Sequence, residues 1–201
     1  LARFGMRPLA RIKNLGLLGP NLIAVHGVHL SDKEIALLAE HNCSIAHCPS
    51  SNLKLASGIS PISTMLSAGI NIGLGTDGAA SNNRLDLFEE MRIAALLAKG
   101  ASGDPTVLPT KQALRMATLN AARALGMEKK IGSITAGKQA DLCAISFNEP
   151  SLHPCFDPLS HLVYAVGRND VSHVCVGGHC CVSDKKLLPL TENDLKNSAR
   201  L

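Results

Sequence analysis

The sequence is poor in aromatic residues, with no Trp, one Tyr and four Phe among 201 positions. So few rings leave little surface on which nucleobases could stack, and the basic residues are scattered rather than striped along one face, which excludes a nucleic-acid partner. Charge is scarce as well. Twenty Lys and Arg against sixteen Asp and Glu leave a net +4, and 18% charged residues is too few and too mixed in sign for a disordered chain. No apolar run approaches the roughly 18 residues that a membrane span needs. Leu1 to Arg11 lacks the charged, apolar and small-residue regions of a signal peptide. A soluble, cytoplasmic protein with no membrane partner is the expectation. The seven cysteines form no Cys-x-x-Cys pair, which argues against a zinc ribbon. Their odd number and the apolar surroundings of Cys43, Cys48, Cys143 and Cys175 argue against a disulfide framework. Reduced, mostly buried thiols are expected.

What is present is a core. Apolar residues make up 46% of the chain, enough for one domain and a bit. From Asn21 onward, short apolar runs alternate with helical patterns, the signature of βα units around a parallel sheet. Leu22 to Val25 reads as a buried strand ending at His26. Ser31 then caps a helix, with Glu34 completing a capping box. Cys43 to Ala46 is the next strand, ending at His47. A helix from about Pro61 to Ala68 is stopped by Gly69, and Ile70 to Leu74 forms a third strand that leads to Thr76-Asp77. Asp86 to Lys99 and a run from Thr110 to Leu125 are helical, the latter closed by Gly126.

After Gly126 the pattern changes. Asp141 to Phe147 reads as a strand, Leu159 to Val166 as a helix, and Val171 to Val176 with His179 to Val182 as a hairpin around Gly177-Gly178. Residues 1–126 are therefore expected to be part of a barrel, and 127–201 a small β-rich portion with a tail. The chain opens on Leu1 rather than Met, directly into a helix-like segment, and is expected to be a fragment.

In a parallel α/β barrel, reactive groups collect at the C-terminal ends of the strands, where the βα loops form the open face. His26, His47 and Asp77 all lie at such ends. One histidine there is more often a hydrogen-bonded structural residue, and one Thr-Asp-Gly is more often a turn. Three in three successive strands point to chemistry. Imidazole and carboxylate are suitable ligands for Zn²⁺ or Fe²⁺ at a site that keeps a position open for water.

The strings Ala24-Val25-His26-Gly27-Val28-His29-Leu30, Ala46-His47-Cys48-Pro49-Ser50-Ser51-Asn52-Leu53-Lys54 and Gly75-Thr76-Asp77-Gly78-Ala79-Ala80-Ser81-Asn82-Asn83 resemble the amidohydrolase superfamily. Within it the nearest resemblance is to the 5-methylthioadenosine/S-adenosylhomocysteine deaminases. The later runs Ile131-Gly132-Ser133 to Asp141-Leu142 and Ser160 to Ala165 are similar to that family's tail. The resemblance implies an α/β fold: the C-terminal part of a metal-dependent-hydrolase (β/α)8, TIM-like barrel, strands five to eight, plus part of a β-rich composite domain. It implies hydrolytic deamination of an adenosine thioether, so the expected partner is a small purine nucleoside. It also implies one divalent metal, Zn²⁺ in the first place and Fe²⁺ in the second. Carried over by position, His26 matches the metal-binding histidine that ends the fifth strand. His47 matches the sixth-strand histidine that sits beside the metal and polarises the attacking water. Asp77 matches the last-strand aspartate that binds metal and takes the proton from that water.

Two departures stand out. The family glutamate three residues after the fifth-strand histidine is replaced by His29, a substrate-contact candidate that could donate the same proton when charged. The family's first-strand His-x-His pair occurs nowhere in this sequence. Two remaining ligands, His26 and Asp77, would hold a metal weakly. Guanine-type or triazine-type hydrolysis on the same scaffold, and a truncated non-catalytic chain, stay open as alternatives. A half barrel leaves open strand edges, so self-association into a homo-oligomer is also open. Asn52, Lys54, Ser81 and Asn82 are expected to fix loops by hydrogen bonding. Glu89 and Glu90, near Arg92, are expected on a solvated or salt-bridged face. Cys180 and Cys181 beside His179 would point to opposite faces of a strand and suit no tetrahedral metal.

Overall fold

The computed structural model describes residues 5–188 and Asp194. Helix α1 (Pro8–Asn14) precedes three βα units: β1 (Ile23–Val25) and α2 (Asp32–Glu40), then β2 (Ser44–His47) with α3 (Pro49–Lys54) and α4 (Ile62–Ser67), then β3 (Asn71–Leu74). After β3 come a short helix α5 (Ala79–Asn82), the long α6 (Leu87–Ser102), α7 (Thr110–Ala117) and α8 (Leu119–Ala124). Strands β1, β2 and β3 form a parallel sheet in chain order. The second sheet is antiparallel. It orders β4 (Leu142–Ile145), β5 (Val171–Val176), β6 (His179–Ser183) and β7 (Lys186–Leu187), with helix α9 (Pro158–Tyr164) between β4 and β5. This is a partial barrel-like parallel sheet with a separate antiparallel β-rich part. No helix of the described residues is long and apolar enough to cross a membrane.

The parallel sheet differs from expectation in one respect that matters for the site. The described residues hold three parallel strands, where four, the fifth to the eighth, were expected. Residues Ser44–His47 pair directly and in continuous register with Asn71–Leu74, so nothing lies between β2 and β3. Parallel barrel strands are laid down in chain order. If the strand that leads to Asp77 is the eighth, as the resemblance implies, β2 would be the seventh and β1 the sixth.

The core forms where the sheet meets its helices. Ile45 of β2 and Ile72 of β3 are fully buried against Ile35 and Leu38 of α2, Met65 of α4, and Met91, Ala94 and Ala95 of α6. The capping box at the start of α2 is present, with the Ser31 N–H donating to the Glu34 carboxylate at 3.0 Å. The same carboxylate takes Arg7 at 2.7 Å, which ties the start of α1 to α2. The helix expected from Thr110 to Leu125 is instead two helices, α7 and α8. Thr118 leaves helical geometry, and its hydroxyl donates to the Leu114 carbonyl at 2.7 Å. The break re-aims α8 onto β3, where Ala121 lies so close to Gly73 that a Cβ there would meet the Ala121 Cα at 3.0 Å.

Helix α9 returns to the barrel side: Val163 joins the main core, and Arg92 of α6 donates to the carbonyls of Tyr164 at 3.0 Å and Val166 at 2.7 Å. Arg92 is therefore a tie between helices and not part of a solvated face. The expectation of mostly buried thiols fails also. Only Cys43 and Cys48 are buried, while Cys143 and Cys180 are exposed.

Candidate active site

Each of the three strands delivers a polar side chain to its C-terminal end. His26 follows β1 directly, His47 is the last residue of β2, and Asp77 stands three residues beyond β3. His26 and Asp77 have φ values of 68° and 60°. Left-handed backbone is uncommon for such residues, and local strain of this kind concentrates at functional sites. The His26 Nε2 lies 3.8 Å from the Asp77 Oδ2, and both side chains are about one-third open to solvent.

The Asp77 carboxylate is held from two sides. The Ser51 hydroxyl of α3 donates to Oδ2 at 2.6 Å, and the Gly78 N–H donates to Oδ1 at 2.7 Å. These bonds, the Ser51 hydroxyl first, hold its pKa down at about 2. Asp77 is thus ionised throughout the neutral range. His47 is the opposite case. It is 1% exposed, and burial, with His26 adding a smaller push, lowers its pKa to about 4. Its ring is neutral at pH 7 and its Nδ1 has no partner among the described residues, as is also true of the buried Nδ1 of His26. Cys48, next in the chain, is pushed up to about 11 by burial and then by the charges of Asp77 and Glu90. A thiol kept protonated in this way is no nucleophile.

The structure brings His26 to Asp77 and leaves His29 aside. The His29 ring is exposed and has no hydrogen-bond partner among the described residues; the residue's carbonyl accepts from Arg7 at 2.7 Å. Lys54, Ser81 and Asn82 do fix the region by hydrogen bonds: Lys54 to the Ala80 carbonyl at 2.8 Å and to Asn83, Ser81 to the Gly78 carbonyl, and Asn82 to the Thr76 carbonyl. They do so from the short helices α3 and α5, not from loops, and Asn52 on α3 is buried with its Nδ2 unpartnered. Ser51 and Glu90 were missed. Glu90 is 1% exposed rather than solvated, whereas its neighbour Glu89 does pair with Arg84 at 2.8 Å. The signal was available, since Glu90 falls at i and i+4 spacing with the buried Ala94 and Ala98.

Imidazole and carboxylate are a suitable donor pair for a divalent cation. Two donors that each sit about 2.1 Å from one ion can be at most about 4.2 Å apart, so the 3.8 Å between His26 and Asp77 allows both to face the same ion. The set is partial: the described residues contain no group of three or more side chains suited to a metal. Residues 1–181 match the Amidohydrolase family.

The chain belongs to the amidohydrolase family.

Among amidohydrolases, it is 56% identical over 177 residues to a 5-methylthioadenosine/S-adenosylhomocysteine deaminase of Moorella thermoacetica, covering 88% of this chain and 41% of that protein. A crystal structure of an adenosine deaminase from Xanthomonas campestris with bound zinc superposes with a TM-score of 0.96 at 46% identity, over 99% of this chain and 45% of that one. The zinc complex of atrazine chlorohydrolase from Arthrobacter aurescens superposes with a TM-score of 0.91 at 27% identity, over 97% and 43%. The chain thus spans less than half the length of these amidohydrolases, and zinc is present in both solved structures.

Proposed function

We propose that this chain carries the last three barrel strands of a metal-dependent aminohydrolase that removes the 6-amino group of an adenosine thioether by hydrolysis. The division expected at residue 126, barrel before it and β-rich portion after it, is part of this reading. The observation that carries it is the ionised Asp77 carboxylate at the strand ends, fixed by Ser51 and Gly78 and facing His26 across 3.8 Å. Similarity to the Moorella deaminase supports the substrate class, methylthioadenosine or S-adenosylhomocysteine.

Asp77 would hold a zinc ion together with ligands from the part of the relatives that this chain does not span. The strand count moves the roles of the histidines. As the sixth-strand residue, His26 takes the part of polarising the attacking water, and His26 as a metal ligand becomes the second assignment. His47 then serves as a neutral, buried support at the seventh strand. His29 no longer occupies the place of the family glutamate, and its part in substrate contact rests only on its exposure near the site.

The proton path follows from acidity. A bound divalent ion would lower the pKa of its water to about 7, which brings proton transfer to the neighbouring Asp77 carboxylate within reach. Asp77 would take one proton from the water as its oxygen adds to the ring carbon and pass it to the amine, which leaves as ammonia. The water's second proton ends on the adjacent ring nitrogen, giving the ring carbonyl, and the Nε2 of His26 would hydrogen-bond the adding oxygen. Ser51 and the Gly78 N–H keep the carboxylate aimed throughout.

A triazine-type hydrolase is the second reading, favoured by the overlay on atrazine chlorohydrolase. Ammonia release from methylthioadenosine and chloride release from a chlorotriazine, measured on the complete zinc-loaded protein, separate the two. We expect ammonia release from the nucleoside, abolished by Asp77→Asn with the fold retained. Turnover of the triazine alone, or near-normal turnover in Asp77→Asn, would overturn the assignment.

A further inference from the structure

The mechanism leaves one buried carboxylate unused. Glu90 of α6 is 1% exposed and makes no ion pair among the described residues. A buried carboxylate without a cation is expensive unless its oxygens are satisfied by donors. Both oxygens are satisfied, and by two different segments. Oε2 accepts the Ser50 N–H at 3.1 Å, one of the first-turn amides of α3 that the helix itself cannot satisfy. Oε1 accepts the Asn82 Nδ2 at 2.7 Å, and the same Nδ2 donates to the Thr76 carbonyl at 2.8 Å.

These two segments are the ones that hold Asp77. Ser50 adjoins Ser51, whose hydroxyl binds Asp77 Oδ2 at 2.6 Å, and Thr76 adjoins Asp77 itself. The Asn82 side chain is further fixed through its Oδ1, which accepts the N–H groups of Arg84 at 3.1 Å and Leu85 at 3.0 Å. Asp77 stands in left-handed backbone, a sparsely populated conformation for any residue with a side chain. One carboxylate on a rigid helix therefore sets the spacing between the helix that supplies the Ser51 hydroxyl and the strained turn that supplies the carboxylate.

We infer that Glu90 is a positioning residue for Asp77, clamping α3 and the Thr76-Asp77 turn at a fixed separation so that the Asp77 carboxylate meets the metal and the attacking water in one orientation. This rests on the reading of Asp77 as metal ligand and proton carrier. Glu90 touches neither substrate nor metal in this scheme; it acts through Ser51 and Asn82. Replacement by Gln keeps the shape but offers one acceptor oxygen and one amide, so one of the two donors loses its partner.

The test uses Glu90→Gln, Asn82→Ala and Asp77→Asn in the complete protein, with three measurements: zinc affinity by chelator competition, the Gly78 amide resonance, and kcat and KM separately. Partners that orient metal ligands cost about 10- to 100-fold in metal affinity when lost. Glu90→Gln is expected to weaken zinc about tenfold or more, shift the Gly78 amide and lower kcat while leaving KM near its parent value. Asn82→Ala, which removes the Thr76 arm and the Arg84 and Leu85 contacts but leaves the Ser50 arm in place, is expected to move all three the same way by less. Parent zinc affinity and an unmoved Gly78 resonance in Glu90→Gln would overturn the inference. Should Glu90→Gln not fold, the same two null results in Asn82→Ala overturn it. Asp77→Asn separates the two failures: if it keeps parent zinc affinity, the metal reading itself is wrong, and if it loses zinc while Glu90→Gln does not, only the clamp is wrong.

Discussion

His47 should make the folded chain sensitive to mild acid. Its ring is buried, and burial holds its pKa at about 4 against the ordinary 6.5. In the unfolded chain the ring titrates near its ordinary value. Between those values the unfolded state takes up a proton that the folded state refuses, so stability is full above 6.5 and is lost as pH falls toward 4. The gap is worth about 3 kcal/mol at most, and about 2 kcal/mol of it is gone by about pH 5. That is a measurable share of the roughly 5–15 kcal/mol that stabilises a domain. The carboxylates with depressed values, Glu34, Asp77 and Asp104, enter only below their ordinary 4.5 for Glu and 3.8 for Asp, outside this window. Urea unfolding followed by circular dichroism, with chelator present, would be run from about pH 7.5 to about pH 5 on the parent and on His47→Gln. The parent should lose about 2 kcal/mol across the range and the variant much less. Parallel losses in the two proteins would show that the ring takes a proton in place or titrates as it does in water, and the neutral His47 assigned to the site would be wrong.

Two further outcomes concern packing and the entry to the barrel. Gly73→Ala should destabilise by about 1–3 kcal/mol, because the new Cβ meets the Ala121 Cα at 3.0 Å and the backbone of α8 has little room to retreat; an unchanged melting temperature would refute the close approach of α8 to β3. Glu34→Gln keeps the capping geometry but loses the ion pair with Arg7. The Arg7 hydrogen bond is the chief cause that holds Glu34 at about 2, and Arg7 is half-exposed, so screening reduces the loss to about 1 kcal/mol at neutral pH. Since the folded value is depressed, the advantage of the parent is present above 4.5 and should fade as pH falls toward 2. A parent and variant that stay equally separated in acid denaturation curves down to low pH would contradict this account.

Local order in this protein was legible in its sequence because short-range chemistry decides it. The apolar runs at Leu22–Val25, Cys43–Ala46 and Ile70–Leu74 became β1, β2 and β3 within a residue or so, Ser31 and Glu34 made their box, and Gly177-Gly178 turned the β5–β6 hairpin. The strings around His26, His47 and Asp77 were equally plain, and with them the family. What the sequence could not fix was adjacency in space. Only the direct pairing of β2 with β3 decided how many strands lie between the histidines and the aspartate, and only the folded chain brought His26 of the outer strand, not His47 of the adjacent one, to face Asp77. Thr118 interrupts a helix whose apolar spacing runs on without a break, because α8 has to turn onto Gly73. Glu90 looks like one more surface acid until α3 and the Asp77 turn are folded around it. Composition and periodicity report what each segment prefers on its own. Burial, pairing order and the hydrogen bonds that satisfy a buried carboxylate depend on segments far apart in the chain, and tertiary packing alone brings those together.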